Sequence, residues 1–222
     1  MFKSSSGPYA CLMQGPGESS AQHLLSFTGM RRVHTDTLEL FTLRHFLTPC
    51  ECEGLVHRID TNCRPSTIAD ANGDPYFRTS ETCDLDHGDA LVAALNAKLA
   101  WISRINPAHG EPLQGQRYRA GQEFKAHTDY FEPEGPDFVR YCTISGQRSW
   151  TFMIYLDRVA AGGGTHFPAI NKIFQPEAGM LLAWNNRLPD GSGNPATLHH
   201  GLPVRKGEKH VITRWYRERP WG

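Results

Sequence analysis

Apolar residues recur along this chain with two different periods, and the change from one to the other divides it. Cys52, Leu55, Val56 and Ile59 fall at i, i+3, i+4 and i+7, the spacing of one buried helical face. Thr48 and Pro49 precede them, and Glu51 completes a capping box, so a helix starts at Pro49. A second helix is expected over residues 89–105, with Leu91, Leu95, Leu99 and Ile102 as its stripe and Asn106-Pro107 as its stop. Beyond Pro112 the period drops to two. In residues 149–156, Trp150, Phe152, Ile154 and Leu156 share one strand face, and Thr151, Met153 and Tyr155 share the other. Residues 179–184 form a short apolar run after a turn. Residues 209–216 alternate again, with Lys209, Val211, Thr213 and Trp215 on one face. A first strand over 37–43 precedes the helices. Residues 1–30 show no sustained period and are expected to be a flexible leader to one domain spanning 31–222. Helices first and strands afterwards predict an α+β domain, its helices packed on one side of a sheet or barrel.

Composition sharpens this picture in three ways. The 21 Gly and 15 Pro among 222 residues point to many turns and a β-rich body. Lys+Arg and Asp+Glu both total 23, so a zero formal charge gives no electrostatic case for nucleic acid or an anionic membrane surface. No stretch approaches the roughly 20 apolar residues of a membrane span. Six cysteines could form disulfides, but a chain this long does not need them and no apolar signal segment stands at the N-terminus. Reduced thiols and a cytoplasmic location are therefore expected. Cys50 and Cys52 are not a CxxC pair, which argues against a zinc site there.

The chemistry concentrates in His127-Thr128-Asp129. On a strand, residues i and i+2 project from one face, so an imidazole and a carboxylate converge. Two such nitrogens and one carboxylate on one octahedral face are the donor set of an iron(II) oxygenase. Either His199 or His200 can supply the third ligand. Ten residues after His199 stands Lys209, which a turn would bring alongside on the next strand. A keto acid with a distal carboxylate requires such a buried cation.

With these residues in place the chain resembles the prolyl 4-hydroxylase-like 2-oxoglutarate/iron(II) dioxygenases. The resemblance runs from about residue 37 to 217. It takes in Arg78-Thr79-Ser80, Arg117-Tyr118, Gly121, Phe124, the HxD, Arg148 with Thr151, and Tyr155-Leu156. It continues through Gly162-Gly163-Gly164-Thr165, Phe167-Pro168, His199, Pro203-Val204, Gly207, Lys209 and Trp215. It implies a double-stranded β-helix (jelly-roll) core with supporting N-terminal helices. It also selects His199, which sits four residues before the Pro-Val pair and ten before Lys209, as the metal ligand beside His127 and Asp129. His200 then becomes a neighbouring packed or substrate-side group. Tyr118 and Thr165 should hydrogen-bond the co-substrate, with Lys209 on its distal carboxylate and Trp215 lining the cavity. Iron(II), 2-oxoglutarate, O2 and ascorbate are the implied cofactors and co-substrates.

The expected reaction is hydroxylation with release of succinate and CO2, most directly on prolyl residues of a peptide or protein. The same machinery would serve a free amino acid or other small molecule, and a jelly-roll binding module without catalysis is the third reading. The polar stretch 131–147 is expected to be a loop at the barrel rim, with Arg140 as its substrate-contacting cation.

Overall fold

A computed structural model describes residues 18–66, 74 and 76–222. Four helices occur among them: α1 (Glu18–Leu25), α2 (Pro49–Thr61), α3 (Ala90–Ser103) and α4 (Phe138–Cys142). α2 begins where its cap demands. The Thr48 hydroxyl accepts the Glu51 N–H at 3.3 Å, and the Glu51 carboxylate accepts the Thr48 N–H at 2.9 Å. Asp89 caps α3 by accepting the N–H groups of Leu91 and Val92. α3 stops sooner than Asn106-Pro107, at Arg104 in the left-handed region, and Pro107 instead opens a short 3-10 turn.

α1 overturns part of the expected flexible leader. The rest of that leader, residues 1–17, lies outside the described residues. Ala21 and Leu24 share one face of α1, pack on the helical layer at α3 and are buried. Just beyond the helix, Phe27 meets Trp101 edge-on at 4.5 Å. Eight residues offer only one apolar pair to the core, too short a run to register as a period. Leu24 is 0% exposed, so Leu24→Ala should cost about 2–5 kcal/mol, read as a lowered urea midpoint at unchanged slope.

The strands are β1 (Arg31–Arg32), β2 (Leu40–Leu43), β3 (Arg64–Pro65), β4 (Glu81–Asp84), β5 (Gln114–Tyr118), β6 (Phe124–His127) and β7 (Arg148–Tyr155). They continue as β8 (Ala161–Gly162), β9 (Thr165–Phe167), β10 (Lys172–Phe174), β11 (Leu181–Asn185), β12 (His199–Gly201), β13 (Val204–Lys206) and β14 (Lys209–Arg217). An eight-stranded antiparallel sheet runs β1-β2-β11-β7-β14-β5-β4-β3, and a four-stranded one runs β10-β9-β12-β6. This is the jelly-roll core.

β7 sits near the middle and is buried on both faces. Trp150, Phe152 and Ile154 join Leu55, Ile59, Leu95 and Leu99 in the layer under the helices. Met153 and Tyr155 face the opposite way, into a second apolar cluster with Tyr118, Phe167, Leu182, Trp184 and Val211 inside the barrel. The predicted alternation thus divides two buried environments rather than core from solvent. Among the described residues no helix is long and apolar enough to cross a membrane. Cys50, Cys52, Cys63, Cys83 and Cys142 are free; Cys50 is exposed and Cys52 buried, so the two do not share a site.

Candidate active site

β12 lies antiparallel to β6, and the register sets His199 directly opposite His127. Their rings stand 4.2 Å apart between centroids. Phe124 stacks on His127 at 3.5 Å, while Phe167 and Trp184 flank His199. Both imidazoles are turned by their own backbone. Nδ1 of His127 lies 2.7 Å from the Lys125 carbonyl, and Nδ1 of His199 lies 3.0 Å from the Thr197 carbonyl. A carbonyl only accepts, so each Nδ1 carries a proton and each Nε2 is the ring nitrogen turned toward the site. Burial, reinforced by the neighbouring His199, holds the His127 imidazole well below its ordinary pKa and therefore neutral.

Asp129 reaches the same point by a different route from the one expected. β6 ends at His127, so Asp129 lies beyond the strand in a bend. Strand alternation does not aim it. Instead Thr151, on the inward face of β7, donates its hydroxyl to Asp129 Oδ2 at 2.7 Å. The carboxylate oxygens lie 3.9 Å from His127 Nε2 and 4.0 Å from His199 Nε2. Two Nε2 atoms and one carboxylate within 4.8 Å of one another are a donor set that suits a divalent first-row metal. His200 points elsewhere, its Nε2 2.8 Å from the Glu123 carboxylate, and Lys206 is exposed.

The triad shares a cavity with Tyr118, Thr165, Lys209 and Thr213. Lys209 is 2% exposed, with Nζ 4.6 Å from the Tyr118 ring centroid and 5.7 Å from that of Tyr155. No carboxylate lies within ion-pair distance of it among the described residues. Burial consequently pulls its ammonium down to about 8. Thr165 accepts the Tyr155 hydroxyl at 2.6 Å, and the Tyr118 hydroxyl donates to Gln116 at 3.0 Å.

In front of the triad opens a cleft of about 620 Å³. Trp215 lines it, and Arg148 stacks on that indole at 4.0 Å. Arg140 does not: it is exposed on α4, its guanidinium 5.2 Å from the Tyr141 ring centroid. The stretch 131–147, expected to be all loop, contains this short helix, which turns Arg140 outward while Phe138 and Tyr141 line the cleft. The cations at the cleft are Arg78, Arg148 and Arg217. Glu111 takes Arg148 in a two-point contact at 2.6 and 2.7 Å and Arg217 at 3.0 Å. Glu111 is remote in sequence from both arginines. Arg148 was visible only as part of a motif, and nothing local marked Glu111 or Arg217.

The family model described as the 2OG-Fe(II) oxygenase superfamily matches residues 113–217, a stretch that holds all three triad residues and Lys209. Probable prolyl 4-hydroxylase 3 of Arabidopsis thaliana is 33% identical over 201 residues, covering 79% of this chain and 68% of that protein. The chain belongs to the prolyl 4-hydroxylase-like 2-oxoglutarate/iron(II) oxygenases. Probable prolyl 4-hydroxylase 9 of the same plant is 30% identical over 197 residues, covering 78% of the oxygenase and 67% of the relative. The viral collagen prolyl hydroxylase from Paramecium Bursaria Chlorella virus-1, solved as a 2OG complex, superposes with a TM-score of 0.58 at 27% identity. That likeness covers 80% of the oxygenase and 95% of the viral chain. The oxygenase is an iron(II)-dependent dioxygenase that uses 2-oxoglutarate and O2.

Proposed function

We propose that the oxygenase hydroxylates prolyl residues in a peptide or protein, with His127, Asp129 and His199 holding the iron and Lys209, Tyr118 and Thr165 seating 2-oxoglutarate. With iron(II) held there, O2 would be the oxidant: one of its atoms would go to the substrate as hydroxyl and the other to the succinate formed, with CO2, from 2-oxoglutarate. The chain's own residues do the rest. The two Nε2 atoms and the Asp129 carboxylate offer the donors. Lys209 offers a desolvated ammonium to the distal carboxylate, while Tyr118 and Thr165 bring hydroxyls to the same cavity.

One observation carries the choice of a polypeptide substrate: the cleft of about 620 Å³ that opens onto the triad. It falls within the roughly 300–1,000 Å³ of clefts that enclose drug-sized ligands, more than a single amino acid fills. Trp215, Phe131, Phe138 and Tyr141 line it, an aromatic surface able to pack a pyrrolidine ring and its flanking residues. The relatives named above as prolyl 4-hydroxylases support the same reading. The test is mass spectrometry of proline-containing peptides and of free proline after incubation with the enzyme, iron(II) and 2-oxoglutarate. A gain of one oxygen on the peptide with stoichiometric succinate is expected. Oxidation of free proline alone would overturn the proposal.

A pH dependence follows. With its ammonium at about 8, Lys209 loses its proton as pH rises through that value, and only the charged form pairs a carboxylate. Apparent affinity for 2-oxoglutarate should therefore be pH-independent well below 8 and fall by up to about tenfold per pH unit above it. Titrations at pH 7 to 9.5 check this, and Lys209→Arg should flatten the profile.

A further inference from the structure

Asp129 is held by more than one residue. Thr151 is wholly buried and donates to Asp129 Oδ2 at 2.7 Å. Behind it, wholly buried Asn186 donates its Nδ2 to the Thr151 oxygen at 2.9 Å. A hydroxyl has one proton. Because the amide nitrogen can only donate, the Thr151 oxygen accepts there and its proton is committed to Asp129. With the amide reversed, the Asn186 carbonyl and Asp129 would compete for that single proton. The orientation seen satisfies both contacts and leaves Asn186 Oδ1 without a partner. The side chain is therefore held by its nitrogen end, toward Thr151.

The backbone makes Asn186 a rigid anchor. It lies one residue beyond β11, its N–H donating to the Ser149 carbonyl at 2.7 Å and its carbonyl accepting the Asn194 N–H at 2.8 Å. Thr151 sits on the adjacent strand β7. The large sheet thus reaches through Asn186 and Thr151 to a carboxylate that its own strand, β6, no longer constrains.

We propose that Asn186 is a positioning residue for the metal centre, fixing the Thr151 proton on Asp129 Oδ2 so that Oδ1 remains free for the cation. This rests on the reading of Asp129 as a metal ligand.

The test is the dissociation constant for Mn(II), measured on the full-length protein without 2-oxoglutarate by calorimetry, beside a thermal melt of each variant. Thr151→Val should weaken Mn(II) by about 10–100-fold, as when a ligand loses the group that orients it. Thr151→Ser, which keeps the hydroxyl, should restore it. Asn186→Leu should weaken Mn(II) by about two- to tenfold, the worth of one neutral hydrogen bond. Because Asn186 acts only through Thr151, the Thr151→Val/Asn186→Leu double variant should bind no worse than Thr151→Val. Unchanged Mn(II) affinity in Asn186→Leu, or full additivity in the double variant, would overturn the proposal even if the melting temperature falls. Asp129→Ala separates the two levels of inference: should it retain Mn(II), the ligand assignment itself fails. Should it lose Mn(II) while Thr151→Val does not, only the positioning role fails.

Discussion

Replacing His127, Asp129 or His199 by alanine should abolish turnover and strip the metal, whereas His200→Ala should keep both. Each of the three places a donor atom at one point, and no other His, Cys, Asp or Glu among the described residues joins that cluster. Losing any one leaves two donors, and affinity should fall by more than the about 10–100-fold that follows loss of a ligand's supporting hydrogen bond. His200 is the demanding control because it is the immediate neighbour of His199. Its ring is engaged by Glu123 on the other side of β12, so its removal costs one partly exposed hydrogen bond and no metal donor. Metal content by atomic emission and succinate release, measured on the same preparations, decide the matter. Loss of metal in His200→Ala with retention in His199→Ala would reverse the assignment.

Lys209→Ala is expected to raise the KM for 2-oxoglutarate by about thirtyfold or more at neutral pH, with metal affinity unchanged. The lysine is buried, with no carboxylate in ion-pair range among the described residues, so its charge is held ready at a cost in desolvation. Truncating one side of a buried charge pair costs about 2–5 kcal/mol because the other charge is left buried and unpaired. Titration of 2-oxoglutarate into Mn(II)-loaded protein reads this directly. A wild-type affinity in Lys209→Ala would place the co-substrate elsewhere.

Much of this site was legible because its residues sit on elements with strong local signatures. The period-two pattern of β7 and β14 put Thr151 and Lys209 on definite faces, and the capping box fixed the start of α2. What the sequence hid depends on contacts across long separations or on elements too short to have a period. Asp129 lies past the end of β6 and owes its aim to Thr151, 22 residues away. The Glu111 clamp on Arg148 and Arg217 spans 37 and 106 residues. α1 buries a single pair of apolar residues. Arg140 stood out as a cation in a polar stretch, but one turn of helix sends it to solvent and leaves the cleft to arginines on the barrel wall.

β14 carries a further consequence for how errors in folding are avoided. All nine of its residues are buried, and both faces hold polar groups that cannot be exchanged. Inward stand Lys209 and Thr213; outward, His210 bridges Asp157 at 2.5 Å and Asp60 at 3.1 Å, and Arg214 is held by the carbonyls of Glu111 and Pro107. In a strand buried on both faces and apolar on both, a slip of one residue would exchange one hydrophobic for another and meet little resistance. Here the same slip would drive the Arg214 and His210 side chains into the barrel, away from the groups that hold them, and take Lys209 out of the inner cavity. The polar residues of the strand therefore also act as a proofreading code for its alignment, so correct pairing and the placement of Lys209 in the cavity are reached together or not at all.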